Sequence, residues 1–286
     1  MSFVHLHLHS NYSLLQGAFS IGELVREAAR RGQEVVALTD TNGLYGAVDF
    51  YVAAREAGLK PIIGSELVYG SEQCVCLAVD RRGYSNLCRL ISERRLAGTP
   101  HEAGFPGREH VREEFSLADC LTIHSDGLFL LSASPGLLEK LSGRVDEDRL
   151  YAELRADTPH SFEVDCPSLT TLYGAKTHGR GEDPEEPVRR VDRRMIRRVA
   201  ERLDLPMVAT VNVNYLQRKD REAHAVLCAI RENRDLQDLT EKERMLAGSG
   251  SYMMGAEQIG GRQGRGIEEE RAMMNTARSA EASEME

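Results

Sequence analysis

From Phe3 to Glu232 the apolar positions follow either a period of two or helical spacing, and the two patterns take turns. Phe3–His9 alternates apolar and polar residues and predicts a strand. Ser20-x-x-Glu23 is a capping box. Behind it Ile21, Leu24, Val25 and Ala28 form a helical stripe that Gly32 ends. Glu34–Leu38 predicts a short buried strand, and Leu44, Ala47, Val48 and Tyr51 a helix that Gly58 stops before Pro61. Further strands are predicted at Pro61–Val68, Cys74–Val79, Gly127–Ser132, Leu150–Leu154 and Pro206–Val211. Helices are predicted over Gly83–Leu96, Leu137–Leu141, Arg190–Leu203 and Asp220–Glu232, the last with Ala223, Val226, Leu227 and Ile230 on its apolar face. Seven strands, nearly all separated by helices, predict an α/β fold built on a parallel sheet or a barrel.

Two stretches break this rhythm. Residues 156–188 are polar and turn-rich and read as a surface insertion. Residues 247–286 are rich in Gly, Glu, Ala, Ser and Met and predict a poorly ordered tail. The chain therefore divides into one domain over 1–235 and a tail over 236–286, the tail read as the start of a segment leading onward. No apolar stretch approaches the ~18 residues that a membrane span needs. MSFVHLHLHS has neither a basic nor an apolar signal region, so no secretory signal is expected.

Charge narrows the partners. The net charge is −9, whereas a chain that grips nucleic acid alone usually presents a basic surface. The run RRVDRRMIRR at 189–198 reads as the solvated face of a helix, with Met195, Ile196, Val199 and Leu203 as its apolar stripe. Weak or no DNA binding in isolation follows. The six cysteines form no CxxC pair; Cys74 and Cys76 alternate within an apolar run and read as buried reduced thiols of a cytoplasmic protein.

The strongest chemical signal is Val4-His5-Leu6-His7-Leu8-His9-Ser10. Strand geometry puts Val4, Leu6 and Leu8 on one face and His5, His7 and His9 on the other. Clustered imidazoles facing an interior need a metal, a phosphate or carboxylates, or else form a hydrogen-bonded core set. Asp40-Thr41-Asn42, Glu66, and Asn212-Val213-Asn214 fall near the ends of other predicted strands, where α/β barrels build their sites. Glu66 is the most telling of these, because a buried carboxylate wants a cation. Asp40 or Asn42 reads equally well as a helix cap, and Asn212 and Asn214 as turn residues.

The segments HLHLHSNYSLLQGA, ALTDTNGLYGAVDFYVAAREAGLKPIIGSEL, HSDGLFLLSA, LPMVATVNVNYL and KDREAHAVLCAIREN are similar, in order, to the PHP (polymerase and histidinol phosphatase) domain. The version they resemble is the one at the N-terminus of the bacterial replicative DNA polymerase III alpha subunit. The resemblance covers roughly residues 3–232. It implies a distorted seven-stranded (β/α) barrel with a trinuclear metal site. Active members hydrolyse phosphoesters, some of them as 3′–5′ exonucleases.

Carried onto this chain, the family's metal ligands survive at His7, His9 and Glu66. They are replaced elsewhere: Gln16 and Thr41 stand where acid and histidine are expected, with Asp40 retained. Arg95 and Ser134 stand at two further ligand positions, and Asn212 and Asn214 at the last pair. Neutral groups cannot supply the negative charge that holds several cations together, and an arginine repels them unless it pairs with Glu66. His5 and these replacements are expected to line the pocket, with no confident catalytic residue. The resemblance thus implies a structural, partner-docking domain of a replicative polymerase with a degenerate site for one divalent metal, Zn or Mn, at low occupancy. Its partners would be the rest of the polymerase or replisome, including a proofreading exonuclease subunit. The polymerase's catalytic carboxylates are expected downstream of this chain. The alternative is a free-standing metal-dependent phosphoesterase or exonuclease.

Overall fold

The structure, a computed structural model, describes residues 3–97, 115–156, 193–231, 233–235 and 250–263. Six strands form one curled sheet in sequence order: β1 Val35–Leu38, β2 Lys60–Tyr69, β3 Glu72–Ala78, β4 Leu128–Ser132, β5 Leu150–Arg155 and β6 Met207–Thr210. The fold class is α/β as expected, but the sheet is mixed. Pairs β1–β2, β4–β5 and β5–β6 are parallel, whereas β2–β3 and β3–β4 are antiparallel. The reason is local: Tyr69 pairs with Glu72 across Gly70 and Ser71, a two-residue turn that only antiparallel neighbours accept. Gly70 takes φ 58, a left-handed value that suits glycine.

The predicted first strand is not a regular ladder. Phe3–His9 pairs at Leu8 with Val213 alone, through His9 N–H to Val213 O and Val213 N–H to His7 O, both 2.9 Å. On its other side Thr39 N–H donates to Leu8 O at 3.0 Å and Ala37 N–H to His5 O at 3.3 Å. The Thr39 hydroxyl takes the Leu8 N–H at 2.8 Å, a donor that a strand ladder would have used. The segment is therefore extended and tied toward both edges of the sheet, yet it is not a seventh strand of the ladder.

Among the described residues eight α-helices surround the sheet: α1 Ile21–Arg30, α2 Ala47–Glu56, α3 Arg81–Leu96, α4 Leu117–His124, α5 Pro135–Leu141, α6 Arg193–Arg202, α7 Arg221–Arg231 and α8 Ala256–Gln263. The capping box predicted for α1 is present, with Ser20 accepting from Glu23 N–H and the Glu23 carboxylate reaching back to Ser20 N–H. α4 was not anticipated; it is eight residues long and starts at a Ser116 cap. None of these helices is long and apolar enough to cross a membrane.

Two predicted helix faces are wrong. α2 buries Ala47, Phe50 and Ala54 and leaves Val48 69% exposed. α7 buries His224, Ala225, Cys228 and Ala229, while Val226 and Ile230 point outward. The buried side of α7 is made largely of small residues, and Tyr215 packs on His224 with ring centroids 5.4 Å apart. On α6, Ile196 and Val199 are buried as expected, but Met195 is exposed.

The tail expectation fails where the structure describes it. Tyr252, Met253, Met254 and Ile259 are buried in the common core, and Tyr252 stacks on Tyr215 at 6.0 Å. Residues 236–249 and 264–286, and nearly all of the predicted 156–188 insertion, lie outside the described residues. Cys74, Cys76, Cys88, Cys120 and Cys228 are free thiols, the first two fully buried, as the alternating run predicted.

Candidate metal centre

The period-two pattern of the N-terminal segment sends Leu6 and Leu8 into the hydrophobic core and the three imidazoles to the opposite face. All three histidines are wholly buried. The hydrogen bonds around them fix which ring nitrogens carry protons.

His7 Nδ1–H donates to Glu153 Oε1 at 2.7 Å. His9 Nδ1 lies 3.3 Å from Ser13 Oγ and 3.2 Å from Thr41 Oγ1. Each hydroxyl already spends its own proton, Ser13 on Asp40 Oδ1 and Thr41 on Gln16 Oε1, both at 2.7 Å. Both hydroxyls therefore accept from His9 Nδ1–H. When both rings are neutral, as cation binding requires, their Nε2 atoms are lone pairs that face each other at 3.0 Å.

Glu66 completes the cluster from β2. Its Oε1 stands 3.4 Å from His7 Nε2 and its Oε2 3.5 Å from His9 Nε2. Oε1 is buried and accepts no hydrogen bond. Among the described residues this is the one group of three metal-ligating side chains whose donor atoms all lie within 4.8 Å of one another. Two lone pairs and a carboxylate pointed at one spot need a positive charge between them. The separations resemble the edges of a tetrahedron around an ion ~2.0–2.1 Å from its ligands, about 3.3–3.4 Å. The donor set fits one zinc-class or manganese-class divalent cation.

Without a cation, a proton takes the same place. Burial alone would depress His7, but the carboxylates of Glu153 and Glu66 overcome it and push its pKa up to about 9. Burial would raise Glu66, but His7, His9 and Arg155 pull it down to about 2. The sign of the stability effect follows. A histidine raised in the folded state contributes stability that is complete below the ordinary value of ~6.5 and lost as pH rises through the folded value. Chelator-treated protein is therefore expected to lose a few kcal/mol between pH 6.5 and 9, by urea titration, and excess Zn²⁺ to abolish that loss.

The other predicted residues separate into groups. Gln16 and Thr41 adjoin the cluster, and Thr41 Oγ1 lies 3.4 Å from Glu66 Oε2. Asp40 stands one layer behind and caps no helix. It accepts from Ser10 N–H, Ser10 Oγ–H and Ser13 Oγ–H at 2.7–2.8 Å, and burial raises its pKa. Asn214 Nδ2 donates to Asn212 Oδ1 at 3.2 Å, while Asn214 Oδ1 is buried without a partner. His5 is outside the cluster: its Nε2–H donates to Met254 O at 2.9 Å, and burial holds its pKa near 4.

Arg95 is not the partner of Glu66 that the sequence allowed. It donates to Asn42 O at 2.9 Å and lies over the Tyr45 ring. Arg155 at the end of β5 is the arginine whose charge acts on Glu66. The Ser134 hydroxyl accepts from Gln73 N–H at 3.1 Å at the start of α5. Sequence reasoning missed Glu153, which holds His7 and also accepts from Thr210 Oγ–H at 2.7 Å. Its signal was the same as that of Glu66, a lone carboxylate within an apolar strand.

Comparison with known proteins identifies a family. Residues 5–158 match the family model described as the PHP domain. The "Error-prone DNA polymerase" of Symbiobacterium thermophilum is 34% identical over 244 residues, 81% of this chain and 21% of that protein. The "DNA polymerase III subunit alpha" of Treponema pallidum is 31% identical over 253 residues, 83% of this chain and 20% of that protein. The chain thus spans about a fifth of the length of the curated relatives it matches. Among solved structures, an amidohydrolase from Chromobacterium violaceum aligns with a TM-score of 0.43 and 17% identity, over 74% of this chain and 87% of that one. The paired histidines, Glu66 and Glu153 all fall within the matched residues, and the chain belongs to the PHP domain family.

Proposed function

We propose that this chain is the PHP module of a DNA polymerase III alpha-type replicative polymerase. In that setting it acts as a structural, partner-docking domain with a metal site reduced to one cation. The observation that carries this reading is burial. His7, His9 and Glu66 expose 0%, 0% and 1% of their surface, and Gln16, Thr41, Asn212 and Asn214 expose no more than 8% each. A phosphoester must touch a metal's open position to be hydrolysed, and three donors without exposed surface offer it no approach. The neutral side chains of Gln16, Thr41, Asn212 and Asn214 add no charge for further cations.

One ion, held by His7, His9 and Glu66, would supply a fixed positive charge joining the N-terminal segment to β2. Glu153 orients His7, and Ser13 and Thr41 orient His9, so the donors are set before the ion arrives. The hydrogen bonds of Phe3–His9 toward β1 and Val213 support reading that segment as the seventh stave of a closed barrel. Burial of Met253, Met254 and Ile259 supports extending the module beyond 235, toward the segment that leads into the polymerase core. The net charge of −9 supports weak DNA binding in isolation and partners within the replisome, a proofreading exonuclease among them.

The test is turnover by the purified chain with Mn²⁺ or Zn²⁺, on an aryl phosphate and on a labelled single-stranded oligonucleotide. The expected result is no hydrolysis above that of His9→Ala protein. Turnover that His9→Ala abolishes would establish a hydrolase instead.

A further inference from the structure

The histidine segment is the first of three stretches of backbone linked one to the next. Leu8 bridges to Val213, and Tyr215 bridges to Tyr252, both in parallel sense. Residues 213–215 thus stand between the histidines and a run near the far end of the described chain, Ser251-Tyr252-Met253-Met254. All four residues of that run are buried, the two methionines almost completely. Tyr252 stacks on Tyr215 with ring centroids 6.0 Å apart.

The run reaches the cluster by two routes. Through the backbone, Ser251 O accepts from Asn214 N–H at 2.8 Å and from Tyr215 N–H at 3.2 Å. The adjoining Val213 exchanges hydrogen bonds with His7 and His9, both 2.9 Å. Asn214 O accepts from Ala18 N–H at 2.7 Å, beside the turn that carries Ser13 and Gln16. Through a side chain, Met254 O accepts from His5 Nε2–H at 2.9 Å. His5 Nδ1 is buried without a partner among the described residues, so the bond to Met254 is the one that satisfies this imidazole. Displacing the run would take the acceptor from each of these buried donors, and a buried donor left unmatched is costly. The histidine segment has no ladder of its own, so its position depends on these attachments.

We propose that Ser251–Met254 is a strap that positions the histidine segment, and that docking of the strap and occupancy of the cation site strengthen each other. The inference rests on the cation reading of His7, His9 and Glu66. An ion binds most tightly when its donors are held in place before it arrives, and the strap supplies part of that hold. Coupling of this kind is reciprocal: the factor by which the docked strap raises affinity is the factor by which the ion favours docking. His5 and Tyr252 are positioning residues, since neither supplies a donor atom to the ion.

Isothermal titration of the full chain with Zn²⁺ tests this. Tyr252→Ala removes the stack on Tyr215, and His5→Phe removes the bond to Met254 O. Each is expected to weaken Zn²⁺ affinity by about tenfold or more. Tyr252→Phe keeps the ring and should bind like the unaltered chain. Leu121→Ala controls for stability alone: Leu121 is buried on α4, which packs on α3 and α5. It should lower Tm and leave the affinity unchanged. Circular dichroism checks folding, and if Tyr252→Ala fails to fold, His5→Phe decides. Unchanged affinity in either folded variant overturns the strap and leaves the cation reading standing. So does an equal loss in Leu121→Ala protein, which would reduce the effect to general stability. Absence of Zn²⁺ binding by the unaltered chain overturns the cation reading and the coupling together.

Discussion

Glu66→Gln is expected to lower the affinity of the histidine cluster for Zn²⁺ or Mn²⁺ by about 10³-fold, or about 4 kcal/mol, while the chain stays folded. The reason is charge. His7 and His9 contribute neutral lone pairs, so Glu66 supplies the negative charge among the three donors. Glutamine has nearly the same shape, but it offers one oxygen where the carboxylate presents a different oxygen to each ring. Isothermal titration calorimetry measures the loss, and circular dichroism verifies the fold. An unchanged affinity would place the ion elsewhere.

The second large effect concerns the turn that carries Ser13 and Gln16 to the cluster. The chain reverses through Ser13 N–H to Ser10 O, Gln16 N–H to Ser13 O and Gly17 N–H to Ser13 O. A β-carbon on Gly17 would stand 2.0 Å from Ser10 O and 2.2 Å from His9 O, both backbone atoms that no rotamer change can move aside. Gly17→Ala is expected to cost about 3 kcal/mol or more, a fall of ~10 °C in Tm for a domain of this size. It should also displace His9 and weaken cation binding. Gly136→Ala is the control: nothing lies within 4 Å of the added carbon, so Tm should hold or rise slightly. Differential scanning calorimetry of both variants checks the pair.

The centre of the site was legible because it is written in local pattern. Alternation alone places His5, His7 and His9 on one face, and a carboxylate in the apolar run PIIGSELV is conspicuous. What was not legible depends on distance along the chain. Met254 O meets His5 across 249 residues, and no local pattern announces that a Gly- and Ser-flanked Tyr252-Met253-Met254 run will be buried. Glu153 stood in an equally apolar strand, but its role exists only because His7, 146 residues away, turns Nδ1 toward it. Arg155, rather than the Arg95 that the sequence suggested, acts on Glu66 for the same reason.

The errors in the fold have a different origin. Apolar residues on α2 and α7 outnumber the places in the core, so the helical stripe there has two possible phases. Small residues, Ala54 on one helix and Ala225 and Ala229 on the other, decided which side packs. The antiparallel β2–β3 pair was signalled by Gly70-Ser71 between two apolar runs, a hairpin cue outweighed by the alternation of strands and helices elsewhere.

Anomalous diffraction from crystals grown in excess Mn²⁺ without chelator bears most directly on a site reduced to one ion. A single peak bounded by His7 Nε2, His9 Nε2 and the Glu66 carboxylate is the result expected. Two or three well-occupied peaks bridged near Glu66 would contradict it and restore a full hydrolytic centre.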